Sequence, residues 1–476
     1  MSKLWVVGDS TLSAFDDKFY YPRYGYGTAL GYYLDQEIEV RNLALPGRSS
    51  KSFLEEKVYK ELLDGMAEGD FLLIAFGHND EKAEKSRFTS PLGDYKTEES
   101  FAKSLYDNYI LKAKEAKACP ILATPIVRRS AEGIYEGENV HITSDNGQYP
   151  GGDYAKAIRD LGQALGIYLV DMTEITKEFY IKLGAEETKN LHAWPSNKEM
   201  SVDDTHTNIW GARVNAYFFL SQVEKLGING LSEHVCNLEK DAPYPSKETY
   251  LKINEDYKPV EFKPVLEDSK IFPSWGQFKA TAFGDLSHEP NSEDFVFEPI
   301  SDNSFRIAVK NNVGKISNVT DGLAMYYRKV PANAEFELST KIKINDFYIN
   351  KQVSFGLMVR DDIYLDKVIS ECIGDFVAAG PLELTDVDSP KRCFARKNGR
   401  LINGGKCSHG FKPGDELELK IIATKDGYAC KLGDQDMVSG GFDFKLTQID
   451  PTSVYVGAFV SRNADVTFTD LELKMI

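Results

Sequence analysis

Four short stretches of this chain carry residue types that together could move an acyl group. They are Gly8-Asp9-Ser10-Thr11, the run from Asn42 to Ser50, Phe76-Gly77-His78-Asn79-Asp80, and Asp203-Asp204-Thr205-His206-Thr207. A serine hydroxyl such as that of Ser10 is a weak nucleophile until a neighbouring base takes its proton. His206 is the natural base, because imidazole titrates near neutral pH. A carboxylate must then hold the ring in one tautomer and stabilise its cation. Asp203, three residues earlier, can turn back to the ring within one tight loop; Asp204 beside it could instead cap the helix that follows. The oxyanion formed on attack needs preorganised donors, and the Ser10 N–H, the Gly47 N–H and the Asn79 side-chain amide would supply three. Losing one such donor typically raises the barrier by about 3 kcal/mol.

These residues act together only if the fold gathers them. Leu4-Trp5-Val6-Val7 reads as a buried strand that breaks at a Gly8-Asp9 turn, leaving Ser10 just past its carboxyl end. Further strands are expected at 38–43, 71–76, 121–124 and 167–171. Between them apolar residues recur at helical spacing: Phe101, Leu105, Ile110 and Ala113; then Ala155, Ile158, Leu161 and Leu165, with Gly166 as a stop. A last helix carries Ala212, Ala216, Phe219 and Val223 on one face. Strands alternating with helices imply an α/β fold with a parallel sheet covered on both sides, a doubly wound three-layer sandwich. The first three stretches each follow a strand, so they meet on the edge where such sheets bind ligands. The fourth reaches that edge from the loop opening the last helix.

Beyond Leu231 the pattern changes. Pro243, Pro245, Pro259 and Pro264 punctuate residues 236–266, which read as a linker between a hydrolase domain at 1–235 and a second domain at 267–476. In the second domain the period is two, as in Phe336, Leu338, Thr340, Ile342 and Ile344, and turn signals such as Asn398-Gly399 separate the runs. That is an all-β sandwich. Carbohydrate binding on Tyr326, Tyr327, Tyr348 and Tyr364 and a purely structural role both stay open for it.

Composition narrows the partners. A net charge of −17 over 476 residues argues against nucleic acid as a partner and gives no support for an anionic membrane. No apolar run approaches the ~20 residues of a membrane span. The six cysteines form no CxxC pair, so free thiols are expected and no metal or redox motif is visible. Met1-Ser2-Lys3 leads straight into the first strand without a leader. The expected location is therefore cytoplasmic, or secreted if the natural chain carries a leader ahead of Met1.

The four stretches resemble the blocks of the SGNH, or GDSL-like, hydrolase superfamily, whose Ser, Gly, Asn and His match Ser10, Gly47, Asn79 and His206. The resemblance covers the first half of the chain. Gly8-Asp9-Ser10-Thr11 stands where Gly-Asp-Ser-Leu is commoner. With Ala44-x-x-Gly47-Arg48-Ser49, Phe76-Gly77-His78-Asn79-Asp80, Thr124-Pro125-Ile126-Val127-Arg128-Arg129 and Asp203-x-x-His206-Thr207, it is similar to the rhamnogalacturonan acetylesterase branch. The resemblance implies a flavodoxin-like fold, no cofactor and no metal. It implies a triad of Ser10, His206 and Asp203, the family spacing choosing Asp203 over Asp204, and an oxyanion hole of Ser10, Gly47 and Asn79. The implied reaction removes acetyl groups from pectic poly- or oligosaccharides through an acetyl-enzyme. Members of that branch are typically secreted, so the missing leader favours acetylated oligosaccharides already shortened outside the cell.

Around this core the candidate substrate contacts are Arg48, His78, Arg129 and Trp194. Arg48, Arg128 and Arg129 could pair with a uronate carboxylate, since a planar guanidinium suits it. Trp194 and Trp210 could stack on a sugar face. His78 either supports its loop or lines the cleft, and His141 and His192 lie either at the surface or along the cleft. The β half loosely resembles concanavalin- or laminin-G-type sandwich modules. Two other functions remain in view: a lipase or thioesterase of the same fold, and a carbohydrate-binding protein whose hydrolase domain has decayed.

Overall fold

The computed structural model describes residues 2–371 and 373–476, and it divides into two compact units. The first comprises Met1–Trp194 and Val202–Tyr257; the second comprises Pro195–Ser201 and Lys258–Ile476. Among the described residues no helix is long and apolar enough to cross a membrane.

The first unit is built on five parallel strands: β1 (Ser2–Gly8), β2 (Ile38–Asn42), β3 (Phe71–Ala75), β4 (Cys119–Ala123) and β5 (Tyr168–Val170). Their order is β2-β1-β3-β4-β5, the flavodoxin-like arrangement expected from the alternating pattern. Leu4, Val6, Phe71, Leu73 and Ile121 bury one face of the sheet against the Ile209–Leu226 helix, through Ala212, Ala216, Phe219 and Val223. Trp5, Val7, Leu72, Ile74 and Leu122 bury the other against Phe101, Leu105, Ile110 and Ile158. Strands apolar on both sides are what a parallel sheet covered by two helical layers requires. Caps set the helix limits. The Asn208 side chain accepts from the N–H groups of Trp210 and Gly211, and Gly166 ends the Tyr154–Leu165 helix in a left-handed conformation.

The stretch read as a linker is not one along its first part. Its prolines suggested a free connector, but residues up to Tyr257 pack on the first unit. The Cys236 N–H donates to the Tyr33 carbonyl, Tyr33 and Tyr250 both donate to Asp241, and Trp210 donates to the Pro245 carbonyl. Tyr244, Tyr250 and Leu251 add apolar contact to a small core containing Phe179, Trp210 and Val214. Half-buried tyrosines and a paired carboxylate, invisible to a proline count, make this segment a strap.

The second unit is a sandwich of two antiparallel sheets. The six-stranded sheet alternates as expected: in Phe336–Phe347 the residues Phe336, Leu338, Thr340, Ile342 and Ile344 are buried and Lys341 and Lys343 exposed. The eight-stranded sheet does not, because Ser354–Arg360, Phe376–Leu382 and Ser453–Ser461 are buried at every position. Ile363, Tyr364, Ile369 and Ile373 lie over its outer face with Val260, Phe262 and Val265. Of the four tyrosines considered as sugar platforms, Tyr326, Tyr327 and Tyr364 are therefore core residues and only Tyr348 is exposed. Five cysteines, Cys119, Cys236, Cys393, Cys407 and Cys430, are free thiols; Cys372 lies outside the described residues.

Candidate active site

Each loop at the carboxyl edge of the sheet is shaped by its own sequence. At the end of β1, Gly8 passes so close to β3 that a Cβ would sit 2.4 Å from the Ala75 carbonyl oxygen. The chain then turns on Asp9, whose carboxylate accepts from the N–H and hydroxyl of Thr11 at 2.9 and 2.8 Å. Burial drives the Asp9 carboxyl above its ordinary range, against the pull of those two bonds. After β2, Gly47 adopts a left-handed φ of +74°, which L side chains resist. After β3, the buried Asp80 ties two loops together by accepting from the Ser50 N–H and hydroxyl and from Thr89. Burial pushes its carboxyl up to about 7.

These loops bring Ser10, His206 and Asp203 into one chain of hydrogen bonds. His206 Nδ1 lies 2.7 Å from Asp203 Oδ2, and His206 Nε2 lies 2.9 Å from Ser10 Oγ. A carboxylate only accepts, so Nδ1 carries the proton and Nε2 is left to accept from the serine hydroxyl. The other oxygen, Asp203 Oδ1, accepts from the N–H groups of Thr205 and His206. Burial alone would raise the Asp203 carboxyl, but the His206 ring, its hydrogen bond, the Arg23 cation and the Thr205 N–H outweigh it and hold the group far below the usual carboxylate range. Asp204 does not reach His206. Its carboxylate takes Arg129 at 2.7 Å, and its carbonyl accepts the Arg129 N–H.

Ser10, Gly47 and Asn79 follow β1, β2 and β3 respectively, and their loops are cross-tied by the Leu45 N–H to the Gly8 carbonyl and by Ser50 to Asp80. The Ser10 N–H, the Gly47 N–H and the Asn79 Nδ2 find no acceptor among the described residues. The three donors stand on adjacent loops, and one of them is the N–H of the serine that His206 bonds.

The proposed substrate contacts fare differently. Arg48 is half exposed and pairs with Glu56. Trp194 is half-buried, edge-on to Tyr21 at 5.3 Å, and its ring N–H donates to Lys189. His78, of its two expected places, is excluded from the cleft lining. It is buried edge-on against His141, and neither ring nitrogen reaches solvent or a partner. Burial, with the charges of His141 and Arg128, holds it well below its ordinary pKa and so neutral. Arg129 also departs from the expectation: it is buried, and its guanidinium is taken by Asp204 and the Ala185 carbonyl, so it braces the loop that carries Asp203. Arg128 likewise pairs with the buried Glu81, and Trp210 is core. No group of three or more His, Cys, Asp or Glu side chains among the described residues could hold a metal ion.

Three contributors hold positions that sequence reasoning did not assign to them. His192 is buried, neither surface nor cleft. Its Nδ1–H donates to the Asp203 carbonyl at 2.8 Å and its Nε2 accepts from Tyr180 at 2.9 Å. Burial, aided by Arg129, lowers its pKa to about 4. Phe15 sets its ring edge-to-face with His206 at 5.6 Å, and Arg23 lies over Phe15 at 4.5 Å. Phe15 is five residues from Ser10, so proximity in sequence was a usable signal; nothing local pointed to His192 or Arg23.

A five-stranded parallel sheet in this order, with serine, histidine and aspartate bonded in series at its carboxyl edge, defines an SGNH hydrolase, a carboxylic ester hydrolase. Over its N-terminal half the chain is 31% identical to the rhamnogalacturonan acetylesterase RhgT of Bacillus subtilis across 243 residues, 50% of this chain and 95% of that protein. It is 30% identical to the probable rhamnogalacturonan acetylesterase YesY of the same organism, over 47% of this chain and 94% of that protein. The chain belongs to the rhamnogalacturonan acetylesterase family. Among solved structures, Bacillus subtilis YxiM shares 26% identity with a TM-score of 0.36, over 48% of this chain and 58% of that one. In the C-terminal half, residues 288–372 match the pectate disaccharide-lyase N-terminal domain family.

Proposed function

We propose that this protein is a serine esterase that removes O-acetyl groups from rhamnogalacturonan-like pectic poly- or oligosaccharides. The observation that carries the chemistry is the unbroken Ser10–His206–Asp203 chain beside three donors without acceptors. In this reading Ser10 Oγ attacks the acetyl carbonyl carbon as its proton passes to His206 Nε2. The carbonyl oxygen becomes an oxyanion held by the Ser10 and Gly47 N–H groups and the Asn79 amide. Collapse breaks the bond to the sugar oxygen, which takes the proton from His206. Water then attacks the acetyl-serine, giving its proton to His206, and acetate leaves as Ser10 Oγ recovers that proton. Asp203 keeps the ring oriented and stabilises its cation throughout.

Support for the pectic substrate comes from the rhamnogalacturonan acetylesterase RhgT, the probable rhamnogalacturonan acetylesterase YesY and the pectate disaccharide-lyase N-terminal domain match in the second unit. Acetate release from acetylated rhamnogalacturonan, homogalacturonan and xylan oligosaccharides tests it, with p-nitrophenyl acetate and octanoate alongside. The rhamnogalacturonan oligosaccharide is expected to be the best sugar substrate and acetyl the best acyl group. A preference for xylan or for octanoyl esters overturns the reading.

A further inference from the structure

The reading above asks the Asn79 amide to present its NH2 to the oxyanion, yet an amide has two faces of nearly equal shape. Turned over, the same side chain would aim Oδ1 at the developing negative charge and repel it. Something must select the orientation. Asn79 Oδ1 accepts from Arg87 Nη1 at 3.1 Å. A guanidinium has donors and no acceptor, so it can bond the amide oxygen and never the amide nitrogen.

Arg87 is itself fixed. Its Nε donates to Glu84 Oε2 at 2.8 Å and its Nη2 to Glu84 Oε1 at 2.7 Å, a side-on bidentate fork. That fork uses one edge of the guanidinium and leaves Nη1 as the donor that reaches Asn79. Glu84 is buried and Arg87 nearly so. Backbone bonds from the Arg87 and Phe88 N–H groups to the Glu84 carbonyl fold the segment into the turn that makes the fork possible. The charged pair is balanced, so its influence on the site runs through the amide rather than as a bare positive field.

We propose that Arg87, held by Glu84, is the positioning residue of the oxyanion hole. It locks the Asn79 amide with Nδ2 toward the substrate and polarises it, since a cation bonded to the amide oxygen makes the N–H groups stronger donors. The proposal rests on the oxyanion role assigned to Asn79. It concerns the transition state alone, so it predicts an effect on kcat and little on KM.

The test is a double-mutant cycle on p-nitrophenyl acetate with the full chain. Arg87→Ala would leave Glu84 buried and unpaired, so the clamp is removed as Arg87→Met with Glu84→Gln, which leaves no orphaned charge. Thermal unfolding checks that the variant folds. The clamp variant is expected to lose about tenfold in kcat with KM within twofold of wild type. Asn79→Ala is expected to lose about 10²–10³ in kcat. Adding the clamp variant to Asn79→Ala should cost nothing more, because the amide through which it acts is gone. Arg87→Lys, which keeps a donor but loses the fork, should fall between wild type and the clamp variant. A clamp variant with wild-type kcat overturns the clamp alone, as does the same tenfold loss repeated in the Asn79→Ala background. Full activity in Asn79→Ala would overturn the amide's oxyanion role and the clamp with it.

Discussion

Each unit of this molecule holds a charged cluster, fully buried in the sandwich and half-buried in the hydrolase unit, and the two are finished differently. In the sandwich, Arg360 pairs with Asp321 and Asp362 at 2.8 Å each, and Arg396 pairs with the other oxygen of Asp321. All four side chains have no exposure. The Gly374 N–H fills an oxygen of Asp362, and the Gly374 carbonyl takes Arg396. Burial, with Asp362 and Asp375 close by, pushes the neighbouring Asp361 carboxyl up to about 8. In the hydrolase unit, Asp203 and His206 are equally well bonded, but the Ser10 and Gly47 N–H groups and Asn79 Nδ2 are left without acceptors. In the sandwich both oxygens of Asp321 and of Asp362 are taken, although Arg396 Nε has no partner, and paired buried charges of this kind brace a fold. Under the proposed function, the open donors of the hydrolase unit instead stabilise charge that arrives during a reaction.

Breaking each cluster should therefore produce opposite signatures. Ser10→Ala removes the attacking atom, and kcat on p-nitrophenyl acetate should fall by about 10⁴-fold or more while thermal stability is retained. Appreciable residual turnover in the purified variant would show that Ser10 is not the nucleophile. Asp321→Ala strands the Arg396 guanidinium and leaves Arg360 with Asp362 alone, and should cost about 3–5 kcal/mol in denaturant unfolding of the second unit. Esterase kcat of the folded protein should not move. A loss below about 1 kcal/mol would mean that the cluster is no brace.

The contrast also separates what the sequence made legible from what it did not. The strands at Leu4, Phe71 and Ile121 were readable because a buried parallel strand is an apolar run closed by a turn. Ser10, Gly47, Asn79 and His206 were readable because each sits in a short block of fixed chemistry. The sandwich cluster was not, since Asp321, Arg360 and Arg396 come from three separated strands and each alone reads as a solvated position. Arg129 was misread for the same reason: its partner Asp204 is distant in the chain. His192 gave no local sign that its ring would hold the Asp203 backbone. The strap to Tyr257 was missed because prolines mark irregular backbone and say nothing about whether tyrosines around them find a core.

His192 offers a pH test of the open cluster. In the fold it is neutral, with its pKa lowered to about 4 from the ordinary 6.5. The unfolded chain therefore binds the proton first as pH falls. Stability from this group is complete above about pH 6.5 and is lost as pH drops through 4, by up to about 3 kcal/mol. Asp80 works the other way: raised to about 7, it contributes stability at low pH that is lost as pH rises from about 4 to 7. The wild-type curve alone mixes the two. The informative quantity is the stability difference between wild type and His192→Gln, which should shrink by about 3 kcal/mol between pH 7 and pH 4. A difference independent of pH would show that His192 holds its proton equally in both states.

The smallest effects compare one glycine from each cluster. A Cβ at Gly374 would fall 2.1 Å from Asp361 Oδ1 and 2.6 Å from Asp362, so the closed network must open to admit it. Gly374→Ala should cost about 1–3 kcal/mol in the second unit and leave kcat untouched. A Cβ at Gly47 meets nothing within 4 Å, so only the left-handed backbone resists it. Gly47→Ala should cost about 1 kcal/mol. Because nothing crowds the new methyl, the backbone can keep its φ and the N–H its direction, and kcat should fall by less than tenfold. Paired melts and initial rates on the two variants decide it. If Gly47→Ala destabilises as much as Gly374→Ala, or if its kcat falls a hundredfold, the space around the Gly47 loop is not open in the working enzyme, and the contrast between the two clusters narrows to their charges.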